Sequence, residues 1–156
     1  MDIRIRKAVL NDAKNIHEMQ LKAFAPLLEK YQDFDISPGA ETIERIVQRL
    51  NQTCTDYYII EYQELAVGAI RIINLLKEEK CRISSIFILQ EFQNKGIAQA
   101  VFEIVEDKYK PNNGWILDTI LEEKGNCYLY EKIGYRKTGK IERINDKMNI
   151  IFYEKK

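Results

Sequence analysis

The chain has 156 residues, 46% of them hydrophobic and 31% charged, with 24 basic residues offset by 24 acidic ones. That length suits one domain, spanning residues 1–156, with a substantial core. The zero net charge argues against nucleic acid as a partner, because no cationic excess exists to drive phosphate binding. No apolar run approaches the roughly 18 residues of a membrane helix, and Met1-Asp2-Ile3-Arg4 is not an apolar leader. Cys54, Cys81 and Cys127 are odd in number and far apart, and His17 is the single histidine. Reduced thiols in a cytoplasmic protein, no membrane contact and no metal are therefore expected.

Ile3 and Ile5 alternate with Arg4 and Arg6, the period of a strand with one buried face. Asn11-Asp12 can cap a helix from about residue 11 to 30, which places Ala13, Ile16, Met19, Gln20, Ala23, Phe24 and Leu27 on one side. Pro26 should break or kink its last part. Residues 28–35 mix aromatics and acids without a period. Ser37-Pro38 is a candidate start for a second helix carrying the stripe Ile43, Ile46, Val47 and Leu50.

Residues 57–62 and 65–75 are β-rich runs split by Gln63-Glu64, which reads as a hairpin. Gly68 inside the second run predicts a bulge or a close approach by another backbone. Residues 81–89 make a further strand. A helix bearing Ile97, Val101, Ile104 and Val105 follows, stopped at Pro111-Asn112-Asn113-Gly114. Trp115-Ile116-Leu117 is a short buried strand, Gly125-Asn126 opens a brief helix closed by Gly134, and two last strands meet at Asn145-Asp146. The order β-α-α-β-β-β-α-β-α-β-β predicts an α/β (α+β) fold. It has a mixed, mostly antiparallel sheet of about seven strands and four helices, with one helical crossover between parallel neighbours.

The chemistry concentrates where the fourth strand empties into the third helix, through Ile86-Phe87-Ile88-Leu89-Gln90-Glu91-Phe92-Gln93-Asn94-Lys95-Gly96-Ile97-Ala98. A helix N-terminus has unpaired N–H groups and a positive dipole end, which together seat a phosphate. The lettering Gln93-x-x-Gly96-x-Ala98 after an apolar strand resembles the acetyl-CoA signature of the GNAT family of N-acetyltransferases. The second stretch, Asn126-Cys127-Tyr128-Leu129-Tyr130-Glu131-Lys132-Ile133-Gly134-Tyr135, is similar to that family's second signature. The element order also agrees with the family, so the resemblance extends over nearly the whole chain.

Several roles are implied by this resemblance. The backbone of Gln93, Asn94, Lys95, Gly96, Ile97, Ala98 and Gln99 would bind the CoA pyrophosphate, and Ile86, Phe87 and Ile88 would hold the pantetheine arm like an added strand. Asn94 stands where the family more often has Gly or a basic residue. Tyr130 takes the position of the tyrosine that returns a proton to the CoA thiolate. Asn126 would cap its helix or touch the CoA arm; it is four residues before Tyr130, whereas many members have asparagine seven before, where this chain has Glu123. Acetyl-CoA is the implied cosubstrate, a small-molecule or peptide amine the acceptor, and a homodimer is in keeping with the family.

For the proton leaving the amine, Ser84 and Ser85 occupy the strand where many members carry a glutamate. Glu29, Asp118, Glu122 and His17 are alternatives, as is water alone. Phe24, Glu29 and Tyr31, with Asp33, Phe34 and Asp35, would line an acidic, aromatic acceptor pocket suited to a cationic amine. Two rival readings stay open: an acyl-CoA sensor of the same fold without catalysis, and an unrelated structural or interaction domain.

Overall fold

The computed structural model describes residues 2–156. Seven strands form one sheet: β1 (Ile3–Lys7), β2 (Thr55–Tyr62), β3 (Leu65–Leu75), β4 (Lys80–Ile88), β5 (Trp115–Ile120), β6 (Arg136–Asn145) and β7 (Met148–Lys155). Their order is β1-β2-β3-β4-β5-β7-β6. Only β4 and β5 run parallel, joined by α3 (Ile97–Tyr109). Helices α1 (Ala13–Tyr31) and α2 (Ile43–Leu50) pack on one face with Tyr57, Ile59, Ala69 and Phe87. On the other face α3 and α4 (Lys124–Lys132) enclose Ile70, Ile72, Val101 and Phe102. Alternate residues of each central strand thus feed two separate apolar layers.

Two expectations about helix ends are corrected. Pro26 does not break α1, which runs on to Tyr31. Lys22 and Pro26 are both exposed, so water can satisfy the carbonyl that the missing proline N–H would have bonded. Nor does Ser37-Pro38 start the second helix. Ser37 caps a separate 3-10 turn (Pro38–Ala40) by accepting from the Gly39 N–H, and α2 begins only after Thr42, whose hydroxyl accepts from the Arg45 N–H. Each short polar side chain closes its own turn.

At Gly68 both alternatives occur together. The β2–β3 register slips between Ile60 and Glu61, opposite Gly68 and Ala66, and the Phe87 backbone lies against the Gly68 Cα. A second slip falls between β3 and β4: Arg71 pairs with Ser85 and Ile72 with Ile83, which leaves Ser84 as the extra residue. Such bulges bend a strand and re-aim its side chains.

Candidate active site

The parallel pair separates almost as soon as it forms. Cys81 pairs with Trp115 and Arg82 with Ile116, and the remainder of β4 has no partner on that side. The opening leads into a cavity of about 570 Å³. One wall is Ser84, Ser85 and Ile86 of β4, and the opposite wall is Asp118 and Thr119 of β5 with Asn126 and Tyr130 of α4. Phe24 and Asp33 approach from the α1 side, and Lys140 and Glu142 from β6.

Ile86, Phe87 and Ile88 follow the divergence, paired to β3 through Ile70, Ala69 and Gly68. The Ile88 carbonyl accepts from Gln93 Nε2 at 2.9 Å, so its peptide groups face away from β3 and toward the opening. Gln93 therefore spends its side chain on tying the strand end to the loop beyond it.

That loop is shaped by two left-handed residues, Asn94 (φ 63°) and Gly96 (φ 81°). Asparagine tolerates this region better than most side chains, which accounts for its presence where glycine is commoner. Gly96 caps α3, and the first turn of α3 carries no acidic residue, so its free N–H groups and dipole meet no internal anion. Ile97 sends its side chain into the core, while Lys95 is exposed and Ala98 and Gln99 are half-buried. The signature residues thus come together as a backbone cradle at the open end of β4.

Tyr130 is 8% exposed, and its ring packs edge-on to Phe102 at 5.7 Å, with Tyr135 and Tyr153 completing the box. Burial, with a smaller contribution from the charge of Asp118, pushes its hydroxyl pKa well above the usual phenol value. It stays protonated throughout the neutral range. Gly134 (φ 103°) ends α4, and the Tyr135 N–H donates to the Tyr130 carbonyl at 2.9 Å. Tyr130 is thereby fixed in the last turn of its helix.

The four carboxyl groups weighed from the sequence now separate. Asp118 lines the cavity, and burial raises its pKa although Arg82 pairs with it at 2.8 Å. Glu122 accepts from the Asn149 backbone and side chain at 2.7 and 2.9 Å. Glu123 accepts from Lys30 at 2.8 Å and from the Tyr31 hydroxyl, so its charge is committed to α1 and the cavity side of this turn is left to Asn126. Glu29 is exposed and does not line the cavity. His17 donates from Nε2 to the Glu41 carbonyl at 2.8 Å.

The acceptor side is of mixed charge, with Asp33, Glu41, Asp118 and Glu142 lining it beside the aromatics Phe24 and Phe152. Phe24 lines it, but Tyr31 is buried with its hydroxyl turned to Glu123. Three arginines, Arg49, Arg71 and Arg82, reach the lining from α2, β3 and β4. Sequence reading missed them because charged residues in strands and helices ordinarily point to solvent.

A splayed parallel pair thus lies beside a helix N-terminus, with a buried tyrosine across the gap. The profile described as Acetyltransferase (GNAT) domain matches residues 28–156, and the chain belongs to this acetyltransferase family. No curated protein matches by sequence.

Among solved structures, the spermidine N-acetyltransferase of Vibrio cholerae, in complex with CoA and spermine, superposes with a TM-score of 0.77 at 18% identity. The alignment covers 97% of this chain and 94% of that one. The ribosomal-protein-S18-alanine N-acetyltransferase of Escherichia coli gives 0.78 at 12% identity, over 98% and 92% of the two chains. The microcin C7 self-immunity acetyltransferase, bound to acetyl-CoA and AMP, gives 0.77 at 16%, over 98% and 91%. At these identities the likeness speaks for the fold.

Proposed function

We propose that this protein transfers an acetyl group from acetyl-CoA to a primary amine by direct attack within a ternary complex. The observation that carries this reading is the β4–β5 opening, which has the α3 N-terminus at one end and Tyr130 on the far wall. The fit to CoA rests on three features: a backbone cradle with no acid in the first turn of α3, left-handed Asn94 and Gly96, and a β4 edge free beyond Arg82. N–H groups of residues 94–99 would hold the pyrophosphate, and the free edge at Ile86 to Ile88 the pantetheine amides.

Acetyl-CoA, once bound, supplies the electrophilic thioester carbon. The Ile88 N–H, turned toward the opening, would donate to the carbonyl oxygen as negative charge develops there. Asp118, its pKa raised by burial, would take the proton from the amine, directly or through water, so that the nitrogen lone pair can bond to the acyl carbon. As the carbon–sulfur bond breaks, Tyr130 would give its proton to the departing thiolate.

The sensor alternative drew its support from the missing carboxylate on β4, and Asp118 across the gap supplies one. An acceptor screen with acetyl-CoA, reading thiol release, tests the reading. Thermal stabilisation by acetyl-CoA together with turnover of at least one amine is the expected result. Stabilisation with no thiol release from any amine, and no response to Tyr130→Phe, would return the protein to the sensor class.

A further inference from the structure

Four buried side-chain polar atoms lack a hydrogen-bond partner among the described residues: Asp33 Oδ1, Tyr57 OH, Arg71 Nε and Ser85 Oγ. Unmet polar atoms of this kind are uncommon in folded proteins and call for a cause. Their placement is not scattered. Tyr57 pairs with Arg71 across β2–β3, and Arg71 with Ser85 across β3–β4, so three of the four belong to one cross-strand row on the α1–α2 face. Arg71 and Ser85 line the cavity, and so does Asp33.

Arg71 is the centre of this row. It is 9% exposed, its Nη1 donates to Ser84 Oγ at 3.2 Å, and its Nε has no partner. The neighbouring charges are already engaged. Arg49 holds Glu41 through two bonds of 2.7 and 2.6 Å, and Arg82 holds Asp118 at 2.8 Å. Among the described residues no carboxylate forms an ion pair with Arg71. Burial, with the charge of Arg49, disfavours its ionised form, yet a guanidinium stays charged at neutral pH. The Glu41 charge offsets part of this, but Glu41 is bonded to Arg49, and a buried cation with no ion pair of its own is stabilised by an anion arriving from outside.

We infer that the acceptor amine carries a carboxylate, which seats on the side of the Arg71 guanidinium that lines the cavity, next to Ser84. This deepens the acetyl-transfer reading and rests on it for the identity of the ligand as acceptor. A single planar anion matches one guanidinium. A dianionic phosphate would require further free cations, and Arg49 and Arg82 are already neutralised. Asp33, the other unpartnered group in the lining, supplies the opposite charge, so the cavity suits a zwitterion such as an amino acid or short peptide.

The test uses L-amino acids, dipeptides and their carboxamides, with aminoalkyl phosphates as a separate arm. Binding to the CoA-loaded protein is read by calorimetry, and thiol release is measured in parallel. The best carboxylate should bind roughly 10- to 100-fold more tightly than its amide. Arg71→Met should collapse that ratio toward one, through KM rather than kcat, and Arg71→Lys should restore part of it. Should Arg71→Met fail to fold, Ser84→Ala, which removes the bond that holds the Arg71 guanidinium, must still weaken carboxylate binding several-fold. An acid-to-amide ratio near one in the wild type, a ratio indifferent to both substitutions, no binding by any member, or preference for an aminoalkyl phosphate overturns the inference. Carboxylate binding that depends on Arg71 but yields no thiol release would instead sink the acetyl-transfer reading and leave the anion seat standing.

Discussion

A Cβ on Gly68 would lie 2.0 Å from the carbonyl oxygen of Phe87, a distance no side chain can occupy. The close approach sits where β3 supports the end of β4, because Gly68 itself pairs with Ile88. Gly68→Ala must push back the Phe87 peptide, a backbone group that cannot swing aside as a flexible side chain would. Overpacking of this kind costs about 1–3 kcal/mol, which predicts a drop in Tm of roughly 3–10 °C. Acetyl-CoA affinity should fall as well, since the displaced peptide lies between Ile86 and Ile88. An alanine variant with unchanged melting and unchanged affinity would show that this contact does not position the strand end.

The turn at the head of α3 makes a sharper claim. Gly96 adopts φ 81°, where an L side chain costs about 1–2 kcal/mol. Gly96→Val should therefore distort the cradle and abolish thermal stabilisation by acetyl-CoA. Asn94→Gly keeps φ 63° accessible and should leave that stabilisation intact. Intact binding in the valine variant would remove the pyrophosphate from this loop.

These two glycines also mark how far the sequence could be read. Strand and helix periods, the cap at Gly134 and the Gln93-x-x-Gly96-x-Ala98 lettering are local patterns, and they located β4, α3 and α4 to within a residue or two. The separation of β4 from β5 is not local. It depends on the pairing ending at Arg82 and Ile116, and nothing in either strand spells that out. Tyr31 and Glu29 illustrate the same limit on the acceptor side. Whether a residue beside a cavity faces it depends on partners far along the chain, here Glu123, whose side chain takes the Tyr31 hydroxyl. Arg71 takes the α1–α2 face by plain alternation with Ile70 and Ile72, and only the assembled cavity shows that it lines the site.

In the proposed mechanism Tyr130 and Asp118 divide the proton transfers, and their environments push both pKa values upward for the same first reason, burial. For the acid, the shift means that no alkaline limb belonging to Tyr130 should appear below about pH 10. Tyr130→Phe should lower kcat by about 100-fold or more while KM for acetyl-CoA changes little. For the base, activity requires the deprotonated form, so a raised pKa moves the acid limb of kcat above the ordinary aspartate value near 3.9. Asp118→Asn should abolish that limb and lower kcat by about 100-fold. Arg82, Lys140, Glu142 and Tyr130 share its electrostatic surroundings. A limb that persists in Asp118→Asn would assign the base elsewhere.

Glu123 joins the end of α1 to the start of α4, through Lys30 and the Tyr31 hydroxyl, and so holds the acceptor side against the helix that carries Tyr130. Burial works to raise its pKa, but the hydrogen bonds from Lys30 and Tyr31 prevail and hold it below the usual glutamate value. A carboxylate depressed in the folded state adds stability above its unfolded pKa, about 4.3, and loses it as pH falls through the folded value. Glu123→Gln should therefore melt below the wild type at pH 7. The gap between the two should narrow once the pH drops under about 4, as the wild-type carboxylate takes up its proton. Melting curves from pH 3 to 8 measure the difference directly. A gap that stayed constant across that range would mean that the link between α1 and α4 does not depend on the charge of Glu123.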